Sequence, residues 1–418
     1  MILKAGITAG YSRYLFNTFK VLTMKLRVVV LGAGFGGLEL SSILSETIGN
    51  DLDLTLIDQN DSFYFGFSKL DVMFGHKAAD SVKIPYSSII KPGVRFSKET
   101  ITAIDPANKI VTTQTGTHKA DVLVVALGAN YDTAATPGLT EFGNEYYTFE
   151  GAAKLRDKIL NFKKGHAIVG VCGAPFKCPP APSEGALMLH DYLTSAGLRD
   201  ACTISLIIPF GSPIPPSPDS SKALIKAFEE RNIQFIPQHK VSSLRENTAI
   251  LDDGTELPFD LFLGIPKHVA PDVVLQSGLT ENGWIPVDRA NLLTKFPNVY
   301  AIGDVTSIGT PKAGVFAEGA AKIAAASIIA KHMGTENENP YTGAGSCYIE
   351  FGKGQVARVD VDFFSGPKPV GIHHNASEML VMDKEIFGTS RKARWFGLND
   401  ADQKAPQDLT EKITQTTN

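Results

Sequence analysis

The stretch KLRVVVLGAGFGGLELSSILSE, residues 25–46, decides the fold together with LDLTLID, residues 52–58. An apolar run ends at a glycine turn, a helix-forming segment follows, and a second apolar run ends at an acidic residue. This order is typical of the opening β–α–β unit of a dinucleotide-binding fold. The sequence therefore predicts a Rossmann-type domain that begins near Met24.

The turn in this stretch has the pattern G-x-G-x-x-G, with glycines at Gly32, Gly34 and Gly37. Gly32 permits the tight turn, Gly34 lets the backbone approach a pyrophosphate, and Gly37 lets the helix pack closely on the strand. Amides at the helix start, where Phe35 and Gly36 lie, would face the phosphates. A glycine turn without a nucleotide is the alternative, but the order of strand, turn, helix, strand and acid favours a nucleotide site.

Later positions indicate which dinucleotide is bound. Asp58, at the end of the second strand, can accept a hydrogen bond from a ribose hydroxyl. The segments ALG, residues 126–128, and AIGD, residues 301–304, resemble two further motifs of two-dinucleotide flavoproteins, in which the second aspartate contacts the ribityl-phosphate part of FAD. The resemblance assigns four residues to FAD: Ala126, Gly128, Gly303 and Asp304. A helix N-cap is the alternative role for Asp304.

The length of 418 residues predicts two or three domains, since single cores rarely grow so large. The content of 43% hydrophobic and 20% charged residues is ordinary for a globular protein, and the net charge of −4 gives no reason to expect nucleic-acid binding. No apolar run reaches about 18 residues, so no membrane-spanning helix is predicted. We assign no metal ligands.

The predicted fold is α/β, with two Rossmann-like domains of the glutathione-reductase type and a small C-terminal β-rich region. The predicted parts are an N-terminal extension (1–23), a discontinuous FAD-binding domain (24–137 and 285–340), a second Rossmann-like domain (138–284), a C-terminal region (341–400) and a polar tail (401–418). The extension carries three cations and no acid. A transit peptide, a membrane-surface arm and a translation start at Met24 all stay open for it.

The second domain has an altered turn, GVCGAPFKCPPAPSEG, residues 170–185. Gly170 and Gly173 are three apart, and four prolines follow them. Proline lacks the backbone N–H that would cradle a pyrophosphate. The next strand, ending in SLIIPF, also lacks an acid to hold a ribose. Reduction by NADH is therefore disfavoured.

Two cysteines link this turn to a known family. Cys178 lies in the turn, and Cys347 lies in GSCYIEFG. From about residue 25 to residue 364 the chain resembles the sulfide:quinone oxidoreductase and flavocytochrome c sulfide dehydrogenase group. The segment CPPAPSEGA, residues 178–186, is most similar to the flavocytochrome branch. PKAGVFAEGAA, residues 311–321, is similar to the family's helix beside the isoalloxazine ring.

The resemblance implies that Cys178 and Cys347 form a redox pair that faces FAD. Sulfide attacks their disulfide to give a persulfide, and the remaining thiolate passes two electrons to the flavin. A disulfide is an electrophile for HS⁻, and turn amides are expected to lower the pKa of the thiol. The alternative is two buried apolar cysteines. We interpret Cys172 as a small residue at a strand end and Cys202 as core.

Two charged residues have open roles. Glu184 matches a carboxylate proposed as an acid/base group in the flavocytochrome branch, and a helix-start carboxylate favoured by the dipole is the alternative. Lys312 flanks the predicted flavin edge and can stabilise negative charge at flavin N1/O2. A solvated surface lysine is the alternative there.

The chain also departs from both branches of the group. The flavocytochrome branch attaches FAD through a cysteine soon after the first acid, but residues 61–70 contain none, which predicts non-covalent FAD. Long C-terminal amphipathic helices are not evident. A short stretch has three cations, at residues 391, 392 and 394, beside Trp395 and Phe396. This stretch can seat at an anionic lipid surface or dock on the protein.

The leading hypothesis is sulfide oxidation, with sulfide or another small sulfur compound as substrate and quinone as acceptor. Quinone is favoured over cytochrome c because no export signal is evident. The predicted location is peripheral, at the cytoplasmic face of the membrane, or cytoplasmic without the membrane contact. A type II NADH:quinone oxidoreductase and an FAD-binding redox sensor are the competing functions. The oligomeric state stays open, with a homodimer among the options.

Overall fold

The computed structural model describes residues 25–336 and 339–398. The predictions for the N-terminal extension (1–23), for a start at Met24 and for the polar tail (401–418) lie outside the described residues.

The strands, in chain order, are β1 (Leu26–Leu31), β2 (Leu52–Asp58), β3 (Ser62–Phe63), β4 (Ile84–Pro85), β5 (Val94–Lys98), β6 (Ile101–Asp105), β7 (Ile110–Thr113), β8 (Thr117–Lys119), β9 (Val122–Val125), β10 (Asn130–Asp132), β11 (Gly165–Val171), β12 (Cys202–Ile208), β13 (Ile233–Pro237), β14 (Val241–Arg245), β15 (Thr248–Leu251), β16 (Glu256–Pro258), β17 (Leu261–Ile265), β18 (Lys267–Val269), β19 (Val299–Ala301), β20 (Gly345–Gly352), β21 (Gln355–Asp362) and β22 (Val370–Ser377). The helices are α1 (Phe35–Ile48), α2 (Ser68–Phe74), α3 (Leu139–Phe142), α4 (Phe149–Asn161), α5 (Ala181–Ser195), α6 (Pro218–Glu230), α7 (Asp272–Leu275), α8 (Gly314–Met333) and α9 (Glu378–Phe396).

The first sheet has the strand order β19-β9-β1-β2-β5, and all its pairs are parallel. Strand β1 is central, and Val28, Val30 and Leu31 are fully buried. Alternate residues of β1 face two different hydrophobic clusters, one of which includes apolar residues of α1 and α8. A parallel sheet covered on both faces requires such a continuous apolar strand, which is why the opening run has no polar alternation.

The second sheet has the order β13-β12-β11-β17 and is also parallel. The chain leaves the first sheet through β10 and returns through β18, and these two strands pair with each other in an antiparallel arrangement. The predicted α/β fold with two Rossmann-like domains is therefore confirmed.

We propose that the second domain ends near residue 270, because Val274 and Leu279 pack in the same cluster as Val29 and Leu31 of β1.

The C-terminal region contains the antiparallel sheet β20-β21-β22, as predicted. It then continues into α9, a helix of 19 residues that the sequence did not predict. A glycine interrupts the helical pattern at Gly388, where propensity is low. In the structure Gly388 is buried, and a Cβ there would lie 3.7 Å from the ring of Phe67. The contact with Phe67 therefore gives the one glycine inside this helix a packing role.

The end of α9 docks on the first domain. Trp395 and Phe396 are buried, and the indole nitrogen of Trp395 donates a 2.7 Å hydrogen bond to Glu39. Arg394 makes ion pairs with Glu39 and Glu46 at 2.8 and 3.1 Å. The prediction that this stretch seats at a lipid surface is wrong, because its aromatic side chains fill the protein core. Within residues 25–336 and 339–398, no helix is both long and apolar enough to cross a membrane.

Candidate active site

The first glycine turn combines tight packing with open space. Gly32 has φ +98°, and a Cβ there would lie 2.4 Å from the carbonyl oxygen of Ala126. A Cβ at Gly37 would lie 1.9 Å from the carbonyl oxygen of Gly32, so α1 approaches the turn as closely as glycine allows. By contrast, a Cβ added at Gly34 or Gly128 would meet nothing within 4 Å. The turn therefore leaves its backbone open on one side.

Side chains around this turn hold it in place. One carboxylate oxygen of Asp58 accepts a 2.9 Å hydrogen bond from the amide of Ala33. Phe35 begins α1, and its ring packs edge-on against Trp395 at a centroid distance of 5.3 Å. Gly36 lies against Ile302, whose Cδ1 would be 3.0 Å from an added Cβ. Asp58 therefore lies directly beside the turn, whereas Phe35 and Gly36 pack inwards.

Asp304 lies three residues after the end of β19 and does not cap α8, which begins ten residues later at Gly314. Burial raises the pKa of its carboxyl group, against the opposing charges of Lys177 and Lys312. Within the described part of the chain, no donor makes a hydrogen bond to this carboxylate. Gly303 has φ +76°, and a Cβ there would lie 2.9 Å from Cβ of Ala317.

These observations test whether the residues fit FAD. The open backbone at Gly34 and Gly128 leaves room for a pyrophosphate beside a helix N-terminus. The carboxylate of Asp304 accepts no hydrogen bond from the described residues. Polar groups removed from water normally have a partner, and a ribityl hydroxyl would supply one here. The residues present therefore fit a flavin dinucleotide.

In the second turn, Cys178 joins the two domains. Its amide donates a 2.8 Å hydrogen bond to the carbonyl oxygen of Lys312, and its own carbonyl accepts one from Ala181 at 2.8 Å. Cys178 has φ +53°, in the left-handed region that non-glycine residues rarely adopt. Such strain costs roughly 1–3 kcal/mol and is concentrated at functional sites.

Cys347 lies on β20 and packs against the same hydrophobic cluster as Cys178. Both are free thiols in the structure. Burial raises the pKa of both groups, that of Cys347 to about 12, and the charge of Glu184 raises both further. The expectation that turn amides lower the pKa of Cys178 is wrong, because desolvation outweighs the hydrogen bond from Ala181. Cys172 is buried in a separate cluster of the second domain, and Cys202 is buried at the start of β12.

Glu184 lies in the first turn of α5 and is only 3% exposed. Its Oε1 accepts a 3.0 Å hydrogen bond from the amide of Glu350 on β20, so the carboxylate faces the strand of Cys347. Burial raises its pKa to about 7, partly opposed by the charge of Lys384. This buried carboxyl group therefore lies against the strand of Cys347, with a pKa raised towards neutral pH.

Lys312 is 7% exposed and is not a solvated surface lysine. Its ammonium donates hydrogen bonds to the carbonyl oxygens of Asp304 and Thr306, at 2.5 and 3.3 Å. It also lies 3.3 Å from the ring centroid of Trp284. Burial lowers its pKa to about 8. A role at flavin N1/O2 stays a prediction.

The sequence interpretation missed two partly buried lysines in the same neighbourhood. The ammonium of Lys177 donates to the carbonyl oxygen of Ala129 at 2.8 Å, and that of Lys69 donates to the carbonyl oxygen of Tyr147. Tyr131 donates to the same carbonyl, and the two cations lower its pKa although burial opposes them. The available signal was that Lys177 directly precedes a candidate redox cysteine.

Two cavities lie on opposite sides of β20. Cys347 lines a cavity of about 350 Å³ between the second turn, the loop before α8 and β21. Ser346 and Tyr348 line a cavity of about 310 Å³ between α8, β20 and α9. Neighbouring residues of a strand point to opposite faces, so β20 forms a wall between the two cavities.

Residues 26–327 match the family model described as pyridine nucleotide-disulphide oxidoreductase, over well more than half of the chain. The chain belongs to the pyridine nucleotide-disulphide oxidoreductase family. It is therefore an FAD-dependent oxidoreductase, which agrees with the open glycine turn and the free Asp304 carboxylate.

Individual relatives narrow the comparison. The mitochondrial sulfide:quinone oxidoreductase of Mus musculus is 25% identical over 378 residues, covering 85% of this chain and 82% of that protein. The crystal structure of the sulfide:quinone oxidoreductase from Aquifex aeolicus superposes with a TM-score of 0.80 at 23% identity, covering 94% of this chain and 95% of that one. The resemblance to this group is confirmed, and the structural likeness establishes the fold of this oxidoreductase.

A second kind of relative matches a shorter part of the oxidoreductase. The type II NADH:quinone oxidoreductase of Staphylococcus haemolyticus is 32% identical over 142 residues, which is 32% of this chain and 35% of that protein. This likeness covers only a third of each chain and is consistent with a shared dinucleotide-binding framework.

Proposed function

We propose that this oxidoreductase oxidises sulfide through Cys178 and Cys347 and passes the electrons to a quinone. The observation that carries the proposal is the packing of both cysteines against one hydrophobic cluster, with the buried carboxyl group of Glu184 hydrogen-bonded to the strand of Cys347. The names of the mouse and Aquifex relatives support the same substrate and acceptor.

The residues that would hold FAD are the glycine turn, Asp58 beside it, the open backbone at Gly128, and Asp304. When bound, FAD supplies the two-electron acceptor between the cysteine pair and the quinone. We propose that it is held non-covalently, because residues 61–70 contain no cysteine. Acid precipitation of the holoenzyme should leave the yellow colour in the supernatant, and a coloured pellet would contradict this.

The first chemical step follows from the access to each sulfur. In the oxidised enzyme Cys178 and Cys347 share a disulfide, and only Cys347 lines the large cavity. The sulfur of H₂S bonds to Sγ of Cys347, the Sγ–Sγ bond breaks, and Cys178 leaves as a thiolate. Glu184 takes the proton that H₂S loses. The products are a Cys347 persulfide, a Cys178 thiolate and protonated Glu184.

Lys69, one of the partly buried lysines, contributes to the same step. The positive charge of Lys69 opposes the rise in the pKa of Cys178 that burial causes. A cation near a buried anion offsets part of its desolvation. We therefore expect Lys69 to stabilise the leaving thiolate.

The quinone would use the other side of β20. Ile386 lines the 310 Å³ cavity and is also 49% exposed, so the cavity is continuous with the surface of α9. Three further apolar side chains of the C-terminal region, Val370, Ile372 and Met379, are more than half exposed. Exposed apolar patches often mark membrane contacts. We propose that this surface, rather than the end of α9, contacts the membrane.

The main experiment mixes the FAD-loaded enzyme anaerobically with sulfide or with NADH and follows the flavin absorbance near 450 nm. Sulfide should bleach the flavin, and NADH should do so at least about 100-fold more slowly. Bleaching by NADH alone would reject sulfide oxidation.

The second candidate function is NADH:quinone oxidoreduction, which the Staphylococcus relative favours. The second turn opposes it. Phe210 follows β12, where a ribose-binding acid would stand, and its ring stacks on Phe176 at a centroid distance of 5.8 Å. Rapid stoichiometric bleaching by NADH would promote this candidate.

The acceptor is tested with sulfide as the sole donor. A short-chain quinone should sustain turnover, and cytochrome c should not. The double variant Met379→Asp, Ile386→Asp should lose binding to anionic liposomes, and Phe142→Asp, which changes an exposed side chain on α3, should keep it. A high rate with cytochrome c alone would reject the quinone, and unchanged liposome binding would reject the membrane surface.

A further inference from the structure

A line of hydrogen-bonded side chains crosses the C-terminal sheet from the cavity of about 310 Å³ to the protein surface. Ser346 on β20 lines this cavity, and its hydroxyl donates a 2.6 Å hydrogen bond to Oδ1 of Asp360 on β21. The other oxygen of that carboxylate, Oδ2, accepts a 2.6 Å hydrogen bond from Nε2 of His374 on β22. The side chain of His374 is 37% exposed. The line therefore joins the cavity to water through three groups that can each carry a proton.

The strand register explains why these three side chains meet. Ser346 lies opposite Asp360 in the antiparallel ladder, and His374 lies opposite Arg358, two residues before Asp360. Residues directly opposite each other, and residues two apart on one strand, share a face of the sheet. Tyr348, which lies opposite Arg358, also lines the cavity. The line of hydrogen bonds therefore runs along the face of the sheet that is turned towards the cavity.

Arg358 holds the middle of this line. Its guanidinium donates a 3.2 Å hydrogen bond to Oδ2 of Asp360 and a 2.8 Å hydrogen bond to Asp383 on α9. Burial raises the pKa of Asp360, but the hydrogen bonds that this carboxylate accepts and the nearby cation outweigh burial and lower the pKa overall. Asp360 is therefore ionised at rest, so it can accept a proton on one oxygen and return one to a hydroxyl on the other side.

The reduction of a quinone needs such a source of protons. It takes up two electrons and two protons, and a hydride equivalent carries two electrons and only one proton. Two carboxylates line the cavity besides Ser346, but both are ion-paired and have no proton to give. Glu318 pairs with Lys322 and Arg391 at 3.0 and 3.1 Å, and Asp383 pairs with Arg358 at 2.8 Å. The second proton must therefore reach the cavity by another route.

We propose that Ser346, Asp360 and His374 deliver this second proton to a quinone in the cavity. The proposal rests on the proposed function, because that function places the quinone there. The hydroxyl proton of Ser346 passes to a quinone oxygen, Asp360 returns a proton to Ser346, and His374 returns one to Asp360. His374 takes its replacement from water. Together with the hydride, the quinone gains two electrons and two protons, and the three side chains end as they began.

The test isolates the half-reaction that uses the quinone. The FAD-loaded enzyme is reduced photochemically without oxygen, so that the cysteines are not needed, and is then mixed rapidly with a short-chain quinone or with ferricyanide. Ferricyanide takes electrons and binds no proton. Ser346→Ala and His374→Gln should each slow the return of the flavin absorbance with the quinone by at least about tenfold and leave the rate with ferricyanide unchanged.

His373→Gln is the matched control. His373 is the neighbouring histidine on β22, but it lies on the opposite face of the sheet, where its Nδ1 is 3.1 Å from the hydroxyl of Ser220 on α6. This variant should keep both rates, and Ser346→Thr, which keeps a hydroxyl, should keep most of the rate with the quinone. Equal slowing with both oxidants would indicate a structural role and overturn the proposal, as would a normal rate with the quinone in Ser346→Ala or His374→Gln.

The two hypotheses fail separately. Reoxidation of the wild-type flavin by the quinone tests the proposed acceptor alone. If this reoxidation occurs and both variants match the wild type, only the proton route is wrong. If ferricyanide reoxidises the wild-type flavin and the quinone does not, the proposed acceptor is wrong, and the proton route is wrong with it.

Discussion

The two glycine turns occupy the same place in two similar sheets and differ in everything that decides their chemistry. In the first domain β1 leads into α1 through a turn whose glycines leave backbone exposed at Gly34. In the second domain β11 leads into α5 through a turn with three prolines and Cys178. The first turn ends near the carboxylate of Asp58, whereas Phe210 follows the corresponding strand β12.

The difference teaches that the strand–turn–helix geometry is only a frame for the groups that act. In the first turn backbone amides face open space and suit phosphates. In the second, proline removes amides, and a side-chain sulfur becomes the reactive group. The hydrogen bond from Cys178 to the carbonyl oxygen of Lys312 then ties this sulfur to the FAD-binding domain. Function therefore follows from the site and not from the fold.

The largest expected effect comes from the sulfur of the second turn. Cys178→Ser and Cys347→Ser should each reduce the rate of sulfide-dependent flavin bleaching by at least about 10³-fold, because residues that act as a unit lose function together. FAD content should stay normal, since neither side chain lies at the first glycine turn. Rapid-mixing absorbance spectroscopy measures both.

The double variant Cys178→Ser, Cys347→Ser should be no slower than either single variant. Cys202→Ser is the matched control, because Cys202 is buried in the core of the second domain. It should keep most of the activity. Normal bleaching in Cys347→Ser would show that Cys347 is not part of the reactive pair.

A smaller effect is expected from closing the first turn. Gly34 has φ −80°, which any residue adopts, and an added Cβ meets nothing within 4 Å. Gly34→Leu should therefore fold normally but fill the space that the pyrophosphate needs. We expect FAD affinity to fall at least about tenfold, because 1.4 kcal/mol of lost contact is enough for that change.

Ala174→Leu is the matched change in the second turn, at an exposed position. It should leave FAD binding unchanged. The measurements are FAD content after gel filtration and thermal unfolding of each apoprotein. Equal FAD loss in both variants, or normal FAD binding by Gly34→Leu, would contradict the assignment of FAD binding to the first turn.

The sequence predicted what backbone patterns determine. The apolar runs, the G-x-G-x-x-G turn and the acid of β2 were sufficient for the first domain, because each has a local physical signature. The loss of the second glycine motif was also predictable from the sequence, since proline lacks a backbone N–H in any context. These features identify the positions of Gly32, Asp58 and Cys178 without any tertiary contact.

What the sequence missed depends on contacts between distant segments. Burial of Trp395 needs Glu39, 356 residues away, so its indole could equally have faced lipid. Lys69 and Lys177 meet near Tyr147 only after the second domain folds against the first. The pKa of Cys178 likewise reflects burial, which a turn sequence does not show. Such features require the assembled core.

The smallest expected effect concerns Glu184, the carboxyl group beside the cysteines of the second turn. If Glu184 takes the proton from H₂S, Glu184→Gln should remove a pH-dependent step near pH 7. The measurement is the ratio of wild-type to variant bleaching rates at each pH. We expect this ratio to be close to one below about pH 6, to reach at least about tenfold near pH 7, where ionised Glu184 and H₂S coexist, and to fall above about pH 8, where HS⁻ has no proton to transfer. A ratio that does not change with pH would leave Glu184 only a structural role.

The same substitution should also change stability in a direction that the burial of Glu184 fixes. The folded state raises its pKa from 4.5 to about 7 and therefore favours the protonated form. The stability that protonated Glu184 gives the folded state is therefore fully present below about pH 4.5. It is lost as the pH rises through 7 and the buried carboxyl group ionises. Because Gln cannot ionise, Glu184→Gln should gain stability relative to the wild type between pH 5 and pH 8, by at most on the order of 3 kcal/mol. Denaturant unfolding of both proteins at these two pH values measures the difference, and parallel changes would show that this carboxyl group is not buried with a raised pKa.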